Sequence, residues 1–299
     1  MTAVVSPPEA RRRVRELLAI GDPAGYGPVS VERSGVRRRG GIAMERLDIG
    51  SSDGDRIPCL LLAPAGPASA SIIALHQHAG AFDLGKSEPA GLAGDPALAY
   101  GLRLAERGAR VLIPDLLGFE DRHRGWSANA GADERRDARS RVARGSSLQA
   151  KHTRDVATLT TWLIGAFGGD LGVGVVGHSL GGQVALFSLA IDARLSVGVV
   201  SCGAGTLASF AAERIAHNPA WFVPGLEAAG DVPLLAAALH GQRVLVSAGT
   251  RDPLFPLDGV REVIAAFGPD VCTAELFEGG HALPPASMRL ALDLLVPAG

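Results

Sequence analysis

The stretch VGVVGHSLGGQVALFSLAI, residues 173–191, decides the fold. Its first six residues form a short, valine-rich apolar run, the pattern of a strand buried on both faces. LGGQVALFSLAI (180–191) then reads as a helix. Between them, Gly177-His178-Ser179-Leu180-Gly181 fits G-x-S-x-G. At such an elbow a strand turns abruptly into a helix while the serine takes a strained backbone conformation. Side chains two positions away on either side would collide, so glycine occupies both. The helix would start beneath Ser179 and aim its first amides at a reacting carbonyl.

The pattern needs its structural context. Gly50-Ser51-Ser52-Asp53-Gly54 also matches it, yet lies in a polar turn with no helix after it. Gly172-Val173-Gly174-Val175-Val176-Gly177 spells G-x-G-x-x-G, but its first two glycines sit at or within the strand rather than after it, so the dinucleotide reading fails.

Outward from the elbow, short apolar strands alternate with helical patterns. Strands are expected at 71–76, 109–115, 173–178, 196–203, 242–249 and 271–279, with helices at 97–108, 149–168, 180–191, 257–268 and 285–296. This alternation implies a parallel sheet covered on both faces. Runs 43–50 and 56–64, joined through Asp53-Gly54, add an antiparallel hairpin. The expected α/β fold is a mostly parallel sheet of about eight strands with helices on both faces. Residues 1–40 read as a helical extension, a basic helix from Pro8 to about Ile20 and then a Gly/Pro/Arg-rich stretch, and 41–299 as the main domain. Two segments break the alternation, 117–148 and a cap-like insertion at 203–241. Both are read as excursions over the carboxyl edge of the sheet, where open α/β folds bind ligands.

Composition narrows the class. The 299 residues are 47% hydrophobic and 20% charged with a net charge of −2, which leaves no footprint for nucleic acid or an anionic membrane surface. A small molecule is the expected partner; a homo-oligomer is left open. The first twenty residues lack the order of a secretory signal, no apolar run reaches membrane-spanning length, and the three cysteines lie in apolar strand-like runs. A cytoplasmic location is therefore expected.

The chemistry follows from chain order: nucleophile, acid, histidine. Asp252 sits in AGTRDPLFP just past the strand at 242–249, ahead of its competitors Asp258 and Asp231. His281, in LFEGGHALPP, is the only histidine after Asp252. Its imidazole would accept the Ser179 proton while the carboxylate holds its other nitrogen. The amide of Leu180 and that of His78, or of Gln77, would form the oxyanion hole. His76-Gln77-His78 also reads as an H-x-H metal pair, but no further ligand cluster stands out at metal spacing, so neither metal nor cofactor is expected. Trp221, Phe222 and Val223 are expected to shape an apolar substrate pocket.

At these residues the sequence resembles the α/β-hydrolase superfamily, and more narrowly its dienelactone hydrolase and acetyl-xylan-esterase-like branch. The resemblance spans roughly 45–296 and rests on LHQHAGAFDLGKSEPAGL, LAERGARVLIPDLLGFEDR, VVGHSLGG, HNPAWFVPGL and SAGTRDPLFPLDGV with EGGH. It implies a serine hydrolase cleaving an ester, lactone or thioester. Dienelactone hydrolases proper use cysteine where this chain has Ser179, so their substrate does not carry over. The same triad also serves biosynthetic enzymes of cyclisation, acyl transfer or C–C cleavage, and peptidases or amidases.

Overall fold

A computed structural model of the chain describes residues 5–170 and 172–297. In chain order the elements are α1 (Pro7–Leu17), β1 (Ser30–Arg39), β2 (Ile42–Gly50), β3 (Arg56–Ala63), β4 (Ala70–Leu75), α2 (Tyr100–Glu106), β5 (Ala109–Pro114), α3 (Ala130–Ala143) and α4 (Leu148–Phe167). They continue with β6 (Val173–His178), α5 (Leu180–Ile191), β7 (Leu195–Ser201), α6 (Leu207–Ala212), α7 (Leu226–Ala229), α8 (Pro233–Ala237), β8 (Arg243–Gly249), α9 (Leu257–Ala265), β9 (Cys272–Phe277) and α10 (Pro285–Leu295). The strands form one nine-stranded sheet in the order β1-β2-β3-β5-β4-β6-β7-β8-β9. Strands β4 to β9 run parallel, while β1, β2 and β3 add an antiparallel edge.

The pleat of the inner strands divides the core in two. Ile73, Leu75, Leu112, Val175 and Val246 face a large cluster shared with α1, α4, α5 and α8. Ile72, Ala74, Val111, Ile113, Val176 and Leu245 face a smaller one capped by α2 and α10. With successive side chains pointing to opposite faces, a strand covered on both must be apolar throughout, which is the pattern of VGVVGH.

The sheet has nine strands where about eight were expected, and the addition is β1. β1 falls in the stretch read as part of the N-terminal extension, and all ten of its residues are exposed. A strand with no buried face has no reason to alternate, so SVERSGVRRR carries no period-2 signal. Main-chain pairing to β2 from Ser30↔Gly50 to Arg39↔Ile42 holds it, closed by Gly40-Gly41 and bulged around Gly35. The helical part of the extension packs into the larger core through Ala10, Val14 and Leu18.

Two buried polar joints fix the sheet's carboxyl edge. Lys86, in the long loop after β4, puts its ammonium 2.8 Å from Asp115, 2.6 Å from Glu120 and 2.6 Å from Asp121. The segments HQHAGAFDLGK and IPDLLGFED are thereby joined at one lysine, which occupies the place a metal cation would take among those carboxylates. On the other side, Asn218 donates to Gln183 (3.2 Å), Gln183 to Gln149 (2.9 Å) and Gln149 to Thr153 (3.0 Å). This chain of side chains ties the 203–241 insertion to α5 and α4.

Candidate active site

Ser179 ends β6 and begins α5 with φ +55° and ψ −118°, a region L-residues rarely adopt. Packing on both sides enforces it. A Cβ on Gly177 would lie 2.1 Å from the carbonyl carbon of Gly181, and one on Gly181 would lie 2.0 Å from the carbonyl oxygen of Leu75. Contacts this short exclude any side chain, so backbone meets backbone and the elbow has one geometry. Gln183 donates its amide to the Ser179 carbonyl at 2.9 Å, so the helix starts directly beneath the serine.

The amide of Leu180 opens α5 and is one of the N–H groups that a helix leaves without an internal partner. The amides of Gln77 and His78 follow the end of β4, and neither donates a hydrogen bond among the described residues. The side chain of His78 is held hard. Its Nδ1 accepts from the Gly80 amide at 3.0 Å, which leaves Nε2–H to donate to Glu134 at 3.0 and 3.1 Å. His76 is equally committed. Its Nε2 accepts from the Leu116 amide at 2.9 Å, its Nδ1 faces the Gln77 carbonyl at 2.7 Å, and burial pushes its pKa down to about 4. The H-x-H pair is thus spent on holding two turns.

Asp252 lies just beyond β8 and His281 in the loop after β9, and the two meet with His281 Nδ1 at 2.7 Å from Asp252 Oδ2. The other oxygen, Oδ1, accepts from the amides of Leu254 (2.8 Å) and Phe255 (3.2 Å). Burial works to raise this carboxyl's pKa, but the His281 bond and charge and the two amides outweigh it and hold it below the ordinary carboxylate value. The His281 ring stacks on Phe255, with centroids 5.6 Å apart and planes 5° from parallel, and packs against His178 at 4.8 Å. His178 bonds Ser201 and is driven down to about 3 by burial and by the neighbouring His281, so it stays neutral. The competing carboxylates have other work. Asp231 accepts from the amides of Leu207 and Ala208 at the start of α6, and Asp258 is an exposed partner of Arg261.

Ser179 and His281 open onto one cavity of about 940 Å³, whose floor includes Gln77 and His78. Its walls come from the two excursions expected over the carboxyl edge: α3 on one side, and the turn around Ala216–Phe222 with Leu254 on the other. Of the three residues expected to line a pocket, only Phe222 does so, at 65% exposed. Trp221 and Val223 are corrections. Both are buried in the large core, where Trp221 packs edge-on against Phe210 and Phe187. Consecutive residues of a turn point in different directions, so Asn218-Pro219-Ala220 directs the indole inward and the phenyl outward.

Sequence reasoning missed Glu134, Arg135, Arg139 and His217. All four line the cavity, and His217 also bonds the Leu254 carbonyl at 2.6 Å. They lie within polar excursions, and no linear pattern places them beside Ser179.

A family model described as the alpha/beta hydrolase fold matches residues 89–239, half of the chain, and the chain belongs to that family. No curated protein sequence matches it. Among solved structures it is similar to acetyl xylan esterase 1 from Thermoanaerobacterium sp. JW/SL YS485, at 17% identity and TM-score 0.66, covering 97% of this chain and 92% of that one. It is similar also to a cold-adapted esterase from an Arctic intertidal metagenomic library, at 17% identity and TM-score 0.61, covering 88% and 99%. A glucuronoyl esterase from Solibacter usitatus matches at 16% identity and TM-score 0.60, covering 95% and 91%. No helix among the described residues is long and apolar enough to cross a membrane.

Proposed function

We propose that the protein is a serine hydrolase that cleaves a carboxylic ester, lactone or thioester through an acyl-enzyme on Ser179. The observation that carries this reading is the convergence on one cavity of a serine at φ +55° and a histidine held at 2.7 Å by a buried carboxylate. The solved structures it is similar to are esterases, which agrees with ester chemistry.

In this mechanism His281 Nε2 removes the Ser179 proton as Oγ attacks the carbonyl carbon. Asp252 keeps the His281 proton on Nδ1 and balances the imidazolium that forms. The amides of Leu180 and of His78 or Gln77 receive the negative oxygen, at a cost of about 3 kcal/mol in barrier when one such donor is lost. Collapse of the tetrahedral adduct expels the alcohol or thiol, protonated by His281. Water, activated by the same imidazole, then attacks the acyl-enzyme and releases the acid. Fixed tautomer and fixed elbow mean that little must reorganise at the moment of reaction.

Labelling by a fluorophosphonate should depend on Ser179, and turnover in heavy-oxygen water should place one solvent oxygen in each acid product. A Ser179→Ala protein that keeps more than about 1% of activity would overturn the nucleophile, since triad losses cost several orders of magnitude. Rapid turnover with no solvent oxygen in the acyl product would instead replace hydrolysis by transfer or cyclisation.

A further inference from the structure

We infer that the cavity selects esters bearing a second, anionic group remote from the scissile bond, and that Arg135 and Arg139 of α3 receive it. This deepens the hydrolase reading and rests on it.

Helix α3 has the highly charged sequence AGADERRDARSRVA. Its three acids face inward and each has a partner. Asp133 accepts from Ser127 at 2.8 and 2.9 Å, Glu134 from His78, and Asp137 from Arg141 at 2.7 Å. Arg136 lies over the Trp126 ring at 5.9 Å. Arg135 and Arg139 line the cavity, and neither has a salt bridge or a side-chain hydrogen bond as donor among the described residues. They stand one helical turn apart on the same face, where like charges repel. The remaining titratable groups of the wall are His78, His217, His281 and Glu134, and the single carboxylate among them is already committed to His78.

Two guanidinium forks facing a common space match the planar, paired oxygens of a carboxylate better than a neutral hydroxyl. Much of the rest of the wall is apolar. Val142, Phe222 and Leu254 are each large, exposed by 42%, 65% and 37%, and gathered around this opening. Clustered apolar surface at a cavity mouth marks a binding site. The complementary ligand therefore has an apolar segment between the reacting carbonyl and an anionic end.

The test compares matched esters on the full-length protein. One pair is mono-p-nitrophenyl adipate and the p-nitrophenyl ester of its neutral, methyl-branched isostere. The other moves the charge to the alcohol side, as p-carboxyphenyl and p-tolyl hexanoate. The readout is the ratio of kcat/KM for the charged to the neutral member. Arg135→Gln combined with Arg139→Gln should lower that ratio at least about tenfold for one pair, and the pair affected tells which side of the ester carries the anion. Lysine at both positions should restore part of it, and salt should erode the wild-type ratio. An unchanged ratio in both pairs, with Ser179-dependent turnover of the neutral esters, overturns the inference and leaves the hydrolase reading intact.

Binding supplies a readout that needs no turnover. The Ser179→Ala protein is titrated with amide analogues of both pairs, the anilides of the two acyl acids and the p-carboxy- and p-methylanilides of hexanoic acid. If no ester is hydrolysed but the charged anilide binds and the double Arg variant abolishes it, the anion subsite stands and the hydrolase reading falls. If the charged and neutral members bind equally in both pairs and no ester is hydrolysed, both fall. Because both arginines are exposed on α3, the variants should retain the wild-type melting temperature, which separates lost recognition from lost structure.

Discussion

The Nε2 of His78 lies 3.0 Å from a carboxylate oxygen of Glu134, joining the turn after β4 to α3 across 56 positions of sequence. The bond spans the cavity from floor to wall. His78 is positioned three ways: by Glu134, by the Gly80 amide, and by edge-on packing on Phe119 and Phe82 at 5.1 and 5.2 Å. Its backbone is thereby held at the floor of the cavity onto which Ser179 opens.

Removing that acceptor should loosen the floor of the cavity. Glu134→Ala leaves the His78 N–H without its partner in a mostly buried place, at about 1–3 kcal/mol in stability. A lower kcat at similar KM is expected, whereas Glu134→Gln, which still accepts, should recover most of the loss. Steady-state kinetics beside thermal melts would show whether the two effects travel together.

Asp252→Asn should lower kcat by about ten-thousandfold, because an amide no longer fixes the imidazole tautomer. The pH dependence of stability follows from the depressed pKa of Asp252. A carboxyl whose folded pKa is lowered contributes stability that is fully present above its unfolded value, roughly 4, and lost as pH falls through the folded one. The melting-temperature gap between wild type and Asp252→Asn should hold from neutrality to about pH 5 and close below about pH 4. A gap that goes on widening below about pH 4 would contradict the assigned charge state.

Trp221 and Phe222, adjacent in sequence, should fail in opposite ways. Trp221→Ala empties a core site and should cost about 3–5 kcal/mol, visible in denaturant melts. Phe222→Ala should leave stability within about 0.5 kcal/mol and shift the kcat/KM profile across an acyl-length series. Equal stability losses in the two variants would refute the placement.

The elbow makes a prediction about glycine. Gly181→Ala would force a methyl carbon into the Leu75 carbonyl and should cost more than about 4 kcal/mol or prevent folding. Gly165→Ala, on the exposed side of α4 with no atom within 4 Å of the added carbon, should instead stabilise by about 0.5–1 kcal/mol. In the other G-x-S-x-G, Ser52 is exposed in a turn, and Ser52→Ala should keep full fluorophosphonate labelling.

What could be read from the chain tracks how local its cause is. VGVVGH, HSLGG and the sequential placing of Asp252 and His281 were legible because strand burial, elbow sterics and chain order are local or ordinal constraints. β1 was illegible because a strand exposed on both faces needs only a partner's main chain. Trp221 was misplaced because hydrophobicity alone does not tell core from cavity wall; that choice belongs to the turn at Asn218. Glu134 and the arginines of α3 were lost in a polar run whose two faces separate only when the helix docks.

The contact of Gly181 with Leu75 also bears on motion. With backbone against backbone, α5 and β4 cannot slide past one another, so Ser179 and the turn after β4 move together as one rigid unit. The wall is joined through side chains, Glu134 to His78 and Asn218 to Gln183, which exchange rotamers far more slowly and over larger amplitudes. Cooling should therefore slow the entry and release of substrate before it disturbs the geometry of attack.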